Sequence, residues 1–405
     1  MDWQVKRRTV LQGLSGALTL ALAPNAIAFT PIRGRSNNDG RKPILVALEL
    51  SGGNDGLNTV VPFRDDNYYR LRPSIGIRAA DLLALDAEFG FNPGVAGFQS
   101  LWRNEQLAIV HGCGYQQPSY SHFTSMAYWH TGSPNRGNEF GWLGRVADNL
   151  AVQRRDNMLV NIGTHQSLAV NSKVHTPVVF DDPDKFQRDR SMVTHAANKT
   201  RRNATDLDPG SNRAYLHAVH ASAQASSKLI RSAWQAYAAD ADYGVASFDL
   251  PKVAACIDAG LPTQLYHVSV RNNAFDTHVQ QPALHRRLLS YVADAVTGFV
   301  RDLEVKGRAD EVVVMLYSEF GRRPAENANL GTDHGTANLM LLAGKPIRGG
   351  HYGTPIDLSA LGPEDNPAHT VDFRRVYASV IDGWLGGSSQ VVLGKAFPRF
   401  EFFRT

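Results

Sequence analysis

Two cysteines, Cys113 and Cys256, are all that the 405 residues contain. That excludes a disulfide framework and Cys-rich metal sites, so any metal must be held by histidine and carboxylate. The pair itself reads either as two buried thiols or as one disulfide. Charge of one sign is never concentrated: 20% of residues are charged, the formal net charge is +4 and no long single-sign block occurs, which argues against a nucleic-acid partner. Long apolar runs are missing too. The N-terminal stretch that ends at Leu22 is short and broken by Gly13 and Gly16, with Pro24 just beyond, so an uncleaved transmembrane anchor is disfavoured. No internal repeat is visible. No G-x-S-x-G elbow surrounds Ser119 or Ser121, which counts against a metal-free serine hydrolase.

What is present begins with an export signal. A polar start ends in Lys6-Arg7-Arg8-Thr9-Val10-Leu11, an apolar stretch follows, and Ala26-Ile27-Ala28 supplies small residues for cleavage. Adjacent arginines followed by Val10-Leu11 read as a twin-arginine signal over residues 1–28, with an ordinary signal peptide as the alternative. The twin-arginine translocase is then a partner, the mature chain is periplasmic or secreted, and a site filled with metal before export is compatible with the route. Residues 29–42, polar and rich in Gly and Arg, read as a linker, and residues 43–405 as one large domain.

Apolar, β-branched runs at 44–50, 107–111, 158–162, 265–270, 312–316 and 338–343 predict buried strands. Helical periodicity marks 215–238, 281–305 and 371–385, and residues 181–210 read as a polar surface excursion. Strand and helix alternate over most of the chain, which implies a three-layer α/β/α sandwich with a mainly parallel sheet.

Polar residues follow several of these strands: Asn54 and Asp55, Ser119, Ser121 and His122, Asp276 and His278, Glu319, and Asp333 and His334. Loops leaving the carboxyl ends of strands are where α/β sheets bind ligands, so these groups are expected to share one cleft. Asp276 and His278, two apart on an extended chain, point to one side and suit a common metal ion. Each has a plainer reading. Asn54-Asp55 between glycines makes a good turn, and Ser121 at a helix start makes a good N-cap. Arg322 and Arg323 either reach the cleft to bind an anion or solvate the loop after Glu319.

The strings SGGNDGLNTVVP, PSYSHFTSMAYWHTG, AFDTHVQQ, YSEFGRR, GTDHGTAN and FRRVYASVIDGWLG together resemble the exported bacterial family catalogued as domain of unknown function 1501, from about Ile44 to the last helix. That family is similar to the alkaline phosphatase superfamily, which includes sulfatases. The resemblance implies an alkaline-phosphatase-like fold with a metal cleft. It places the first metal-binding acid on Asp55, with Asn54 as rival, and the nucleophile on Ser121 beside His122, with Ser119 as second choice. Asp276, His278 and His334 become ligands of one divalent ion, zinc first, with manganese and calcium as alternatives. Two departures stand out. The spacing is D-x-H rather than D-x-x-x-H, and Glu319-Phe320 replaces an Asp-His pair; Phe320 cannot ligate, so Asp55 and Glu319 are left as ligands of a weaker second ion. The expected function is a metal-dependent hydrolase of phosphate or sulfate esters acting on an anionic ester. The alternative is a non-catalytic binding or assembly protein of the cell envelope with a degenerate metal cleft, paired with another exported protein encoded nearby.

Overall fold

The structure is a computed structural model, described here over residues 42–186, 212–362 and 365–404. The export signal, nearly all of the linker and most of the 181–210 excursion lie outside the described residues. Fourteen strands are seen among those described: β1 (Ile44–Leu50), β2 (Val60–Val61), β3 (Leu83–Ala84), β4 (Gly90–Phe91), β5 (Leu107–Gly114), β6 (Leu159–Ile162), β7 (Val178–Phe180), β8 (Leu265–Val270), β9 (Val312–Tyr317), β10 (Gly321–Glu326), β11 (Thr332–Gly335), β12 (Asn338–Ala343), β13 (Gly350–Tyr352) and β14 (Val371–Asp372).

The central sheet runs β13-β5-β12-β9-β1-β8-β6-β7, with β14 also on β5. Only β12 runs against its neighbours, β5 and β9; the remaining pairings are parallel. Strand β1 shows why the sheet is covered on both faces. Ile44, Val46, Leu48 and Leu50 enter one core with helices Leu250–Asp258 and Gln281–Val305. Leu45 and Ala47 enter the other, with helices His122–Thr131, Trp142–Leu150 and Arg374–Val380. The period-two alternation of a strand thus serves two apolar layers, giving the three-layer sandwich.

Two elements differ from the sequence expectation. The segment around Asp333-His334 is β11, hairpin partner of β10, with Arg322 opposite His334. Both strands are polar, so no apolar alternation announces them; long-range packing makes them strands. The helix expected over 371–385 is divided. Val371 pairs with Cys113, Asp372 accepts from the Arg374 amide, and only then does helix Arg374–Val380 begin, followed by a π-helical turn, Ile381–Leu385, closed by Gly386 at φ 73°.

Cys113 and Cys256 are free buried thiols in opposite cores, so the disulfide reading falls; burial pushes the Cys256 thiol up to about 12. No described helix is long and apolar enough to cross a membrane.

Register decides where the loops meet. Leu50 lies beside Val270 and Glu49 beside Tyr317, so β1, β8 and β9 end level and their following loops leave from one edge. The first of these loops needs its glycines. Gly52 has φ 117° and Gly53 φ 75°, and a Cβ on Gly52 would fall 2.5 Å from the Asp276 amide nitrogen.

Candidate metal centre

Asp276, in the loop after β8, lies at the middle of three imidazoles, one from the same loop and two from other elements. Its Oδ1 is 3.1 Å from His278 Nε2 and 3.1 Å from His334 Nε2, and its Oδ2 is 3.3 Å from His122 Nε2. His122 is the first residue of its helix and His334 sits on β11. The cluster is partly open: the side chains of Asp276 and His278 are 30% and 37% exposed, those of His122 and His334 21% and 18%.

Each imidazole is oriented by its other nitrogen. His122 Nδ1 is 2.7 Å from Glu319 Oε1, His278 Nδ1 3.2 Å from Asp333 Oδ1, and His334 Nδ1 2.7 Å from the Tyr120 carbonyl. Carbonyl and carboxylate oxygens accept hydrogen bonds, so Nδ1 must carry the proton in all three rings. In the neutral rings Nε2 is then a bare lone pair, and three of them converge on a carboxylate. His278 and His334 even face each other, Nε2 to Nε2, at 2.9 Å. His122 Nε2 is buried without a hydrogen-bond partner. Lone pairs arranged this way repel unless a cation lies among them, and outer oxygens on Nδ1 are the usual supports of metal-bound histidine. The residues fit a divalent ion.

The electrostatics agree. Burial by itself raises the Asp276 carboxyl, but the hydrogen bond from Arg322 and the nearby positive charge outweigh it and hold the pKa at about 2. The hydrogen bond to Glu319 raises the His122 pKa against desolvation, so the surroundings of that ring favour positive charge. Burial lowers that of His334, which favours the neutral, ligating form.

Two residues read from sequence as ligands stand elsewhere. Asp55 is buried in an ion pair with Arg72 at 2.7 Å, its Oδ2 also accepts from Gln281 Nε2 at 2.6 Å, and its Oδ1 accepts from the Asn58 amide at 3.2 Å. Nothing of it remains for a metal. Its rival Asn54 accepts from His285 Nε2 at 2.9 Å, away from the cluster. Glu319 is close but committed: besides His122 it accepts from the Gly52 amide at 2.9 Å and the Gly53 amide at 3.2 Å, so it orients a ligand rather than being one. Asp333 does the same for His278.

Arg322 is a clamp. Its guanidinium donates to the carbonyls of Gly53 at 2.7 Å, Thr332 at 2.8 Å and Phe275 at 3.1 Å, to that of Gly52, and to Asp276 Oδ1 at 2.7 Å. Each of its three nitrogens is engaged and the side chain is fully buried, which keeps it from a substrate anion. The Phe320 ring, 4.3 Å from His334 and 4.9 Å from His122 by centroid, walls one side. Sequence had marked Arg322 only as a cation near the site, because its acceptors are main-chain carbonyls from three distant segments.

Ser121 caps the helix that His122 begins, its Oγ accepting from the Thr124 amide at 3.5 Å, and it is exposed. Both neighbours touch the cluster, Tyr120 through its carbonyl and His122 through its ring. Ser119 accepts from the Ser121 amide at 3.3 Å. Ser121 is therefore an N-cap between two residues that touch the centre.

The packing below the centre carries a pH prediction. His285 is fully buried, and burial pushes its pKa down to about 4. A depressed histidine stabilises the fold above its unfolded value near 6.5 and loses that contribution as pH falls toward the folded value. The loss is about 3 kcal/mol over this window. Denaturant midpoints of wild type should fall steadily from pH 6.5 to 4, and in His285→Gln, which keeps a donor for Asn54, that part of the slope should vanish. An unchanged slope would locate the acid sensitivity elsewhere.

No curated protein matches the sequence. Among solved structures the chain is similar to the PsFucS1 sulfatase from Pseudoalteromonas sp., at 13% identity and TM-score 0.38, covering 89% of this chain and 71% of that one. It is also similar to the phosphonate monoester hydrolase SpPMH from Silicibacter pomeroyi, at 8% identity and TM-score 0.38, covering 89% and 78%. A third likeness is to Ps i-CgsB in complex with k-i-k-neocarrahexaose, at 10% identity and TM-score 0.33, covering 88% and 73%. At such scores none of them says anything of this chain's chemistry, which rests on its own geometry. The family described as protein of unknown function DUF1501 matches residues 42–378, most of the chain, and the chain belongs to that family.

Proposed function

We propose that the chain is an exported, metal-dependent hydrolase of phosphate or sulfate esters. The observation that carries this reading is the convergence of three Nε2 lone pairs on Asp276, each ring fixed through Nδ1 by an outer oxygen. His122, Asp276, His278 and His334 would hold the ion. Three imidazoles and one carboxylate suit zinc better than manganese or calcium, which prefer oxygen. A bound divalent ion would supply Lewis acidity toward an ester oxygen and lower the pKa of a hydroxyl beside it.

The protein's own part is orientation. The Ser121 hydroxyl, at the positive end of a ten-residue helix, would attack an anionic phosphorus or sulfur centre while its proton passes to solvent. The ester oxygen would leave, and water would then cleave the seryl ester. With Asp55 and Glu319 both engaged, the centre takes one ion rather than two. The ligands come from three separate segments, so the ion can enter only a folded chain, which accords with export through the twin-arginine translocase directed by residues 1–28.

Ser121→Ala tests the assignment. It should lower turnover of aryl phosphate or aryl sulfate esters by about a hundredfold or more while metal content stays at the wild-type level. Retained activity would remove the serine. A wild type that binds zinc but turns over neither ester would favour the second reading, a binding protein of the envelope with another exported protein as partner. The engaged Glu319 and the Phe320 wall, which limit the cleft to one ion, are the observations on its side.

A further inference from the structure

A second convergence of ligand atoms lies inside the domain, and the centre just described does not use it. Glu49 is the one charged residue of β1, and its side chain, 2% exposed, enters the core that holds Trp129, Tyr317 and Tyr377. Its Oε2 is 2.9 Å from Nε2 of His130, on helix His122–Thr131, and 3.3 Å from Nε2 of His267, on β8. Its Oε1 is buried with no hydrogen-bond partner. The ligating atoms of the three residues all lie within 4.8 Å of one another. Among the described residues no lysine or arginine forms an ion pair with Glu49.

A carboxylate this deep, with one oxygen unanswered, needs positive charge close by. Ligands at zinc distances in a tetrahedron stand about 3.3 Å apart, and the carboxylate oxygen lies 2.9 and 3.3 Å from the two imidazole nitrogens. Oxygen donors close the remaining side: Tyr317 Oη is 3.2 Å and Ser167 Oγ 3.5 Å from His267 Nε2. Ser167 Oγ is also 3.4 Å from His130 Nδ1, where a metal-bound histidine keeps its outer partner.

We propose that Glu49, His130 and His267 hold a structural zinc ion, enclosed by the hydroxyls of Tyr317 and Ser167. The ion ties β1 and β8 to the helix that begins at His122 and is capped by Ser121, so it fixes that helix from beneath. Shielded from solvent, it exchanges slowly and resists chelators.

The test uses the full mature chain carrying Asp276→Asn, which disables the first centre, so the outcome does not depend on whether that centre binds metal. Purified without chelators, incubated with zinc and dialysed against EDTA, this protein should retain about one zinc per chain by elemental analysis. Adding Glu49→Gln should remove that zinc. Because Glu49→Gln could fail to fold, anomalous scattering at the zinc edge from crystals of the Asp276→Asn protein gives an independent answer: the peak should lie between Glu49, His130 and His267. Absence of zinc in the Asp276→Asn protein, a peak elsewhere, or a folded Glu49→Gln protein that keeps its zinc would overturn the proposal.

Discussion

Asp276→Asn is expected to abolish tight metal binding at the surface centre and, with it, ester hydrolysis. Among the described residues Asp276 is the one carboxylate that approaches all three imidazoles, through Oδ1 to His278 and His334 and through Oδ2 to His122. Loss of an outer-shell partner alone costs about 10–100-fold in metal affinity, and loss of the one anionic ligand should cost more. Asparagine keeps an oxygen for Arg322, whose guanidinium is otherwise satisfied by carbonyls, so the fold should persist. Competition with a coloured chelator measures the affinity, and circular dichroism checks the fold. An unchanged zinc affinity would mean that the three histidines do not bind through this carboxylate. Glu319→Gln offers a graded comparison, because it leaves the four ligands in place and weakens the support of His122 along with the bonds from the Gly52 and Gly53 amides.

Asp55→Ala should act quite differently. It should cost about 3–5 kcal/mol of stability while leaving metal content per folded chain unchanged, because it strips the partner from a guanidinium that has no access to water. The side chains of Arg72 and Asp55 are 0% and 1% exposed. Arg72 is also held by Asn58 Oδ1 and the carbonyls of Pro324 and Arg323, so it cannot swing out to be solvated. Gln281 would lose its acceptor as well. Urea denaturation and elemental analysis on the same preparation separate the two roles. A variant of wild-type stability that has lost its metal would restore Asp55 as a ligand.

The contrast between Asp55 and Asp276 shows how far the sequence can be read. Both are aspartates after a buried strand, and both carry the same local signature of apolar run, turn residues and acid. What separates them is Arg72 in one case and three histidines in the other, partners distant in sequence that only the fold assembles. Glu319 was legible as a strand-end carboxylate, but its engagement by the Gly52 and Gly53 amides depends on a left-handed loop that no spacing rule reports. The Glu49, His130 and His267 cluster left a weak trace, a charged residue in one apolar strand and an imidazole in another, LYHVSV. The trace becomes a cluster only when register and helix packing bring the two strands and the helix together.

The sequence by itself determined the two-faced parallel strands, the long helix 281–305, the polar groups at strand ends and the limit that any metal must be held by nitrogen and oxygen. These follow from periodicity and composition, which act within a few residues. The tertiary structure decided which carboxylates face ligands and which face arginine, the tautomer of each histidine, and the hairpin that delivers His334. Those outcomes depend on partners that meet only after the sheet has set its register, because a side chain's charge and hydrogen bonds are fixed by what surrounds it in space.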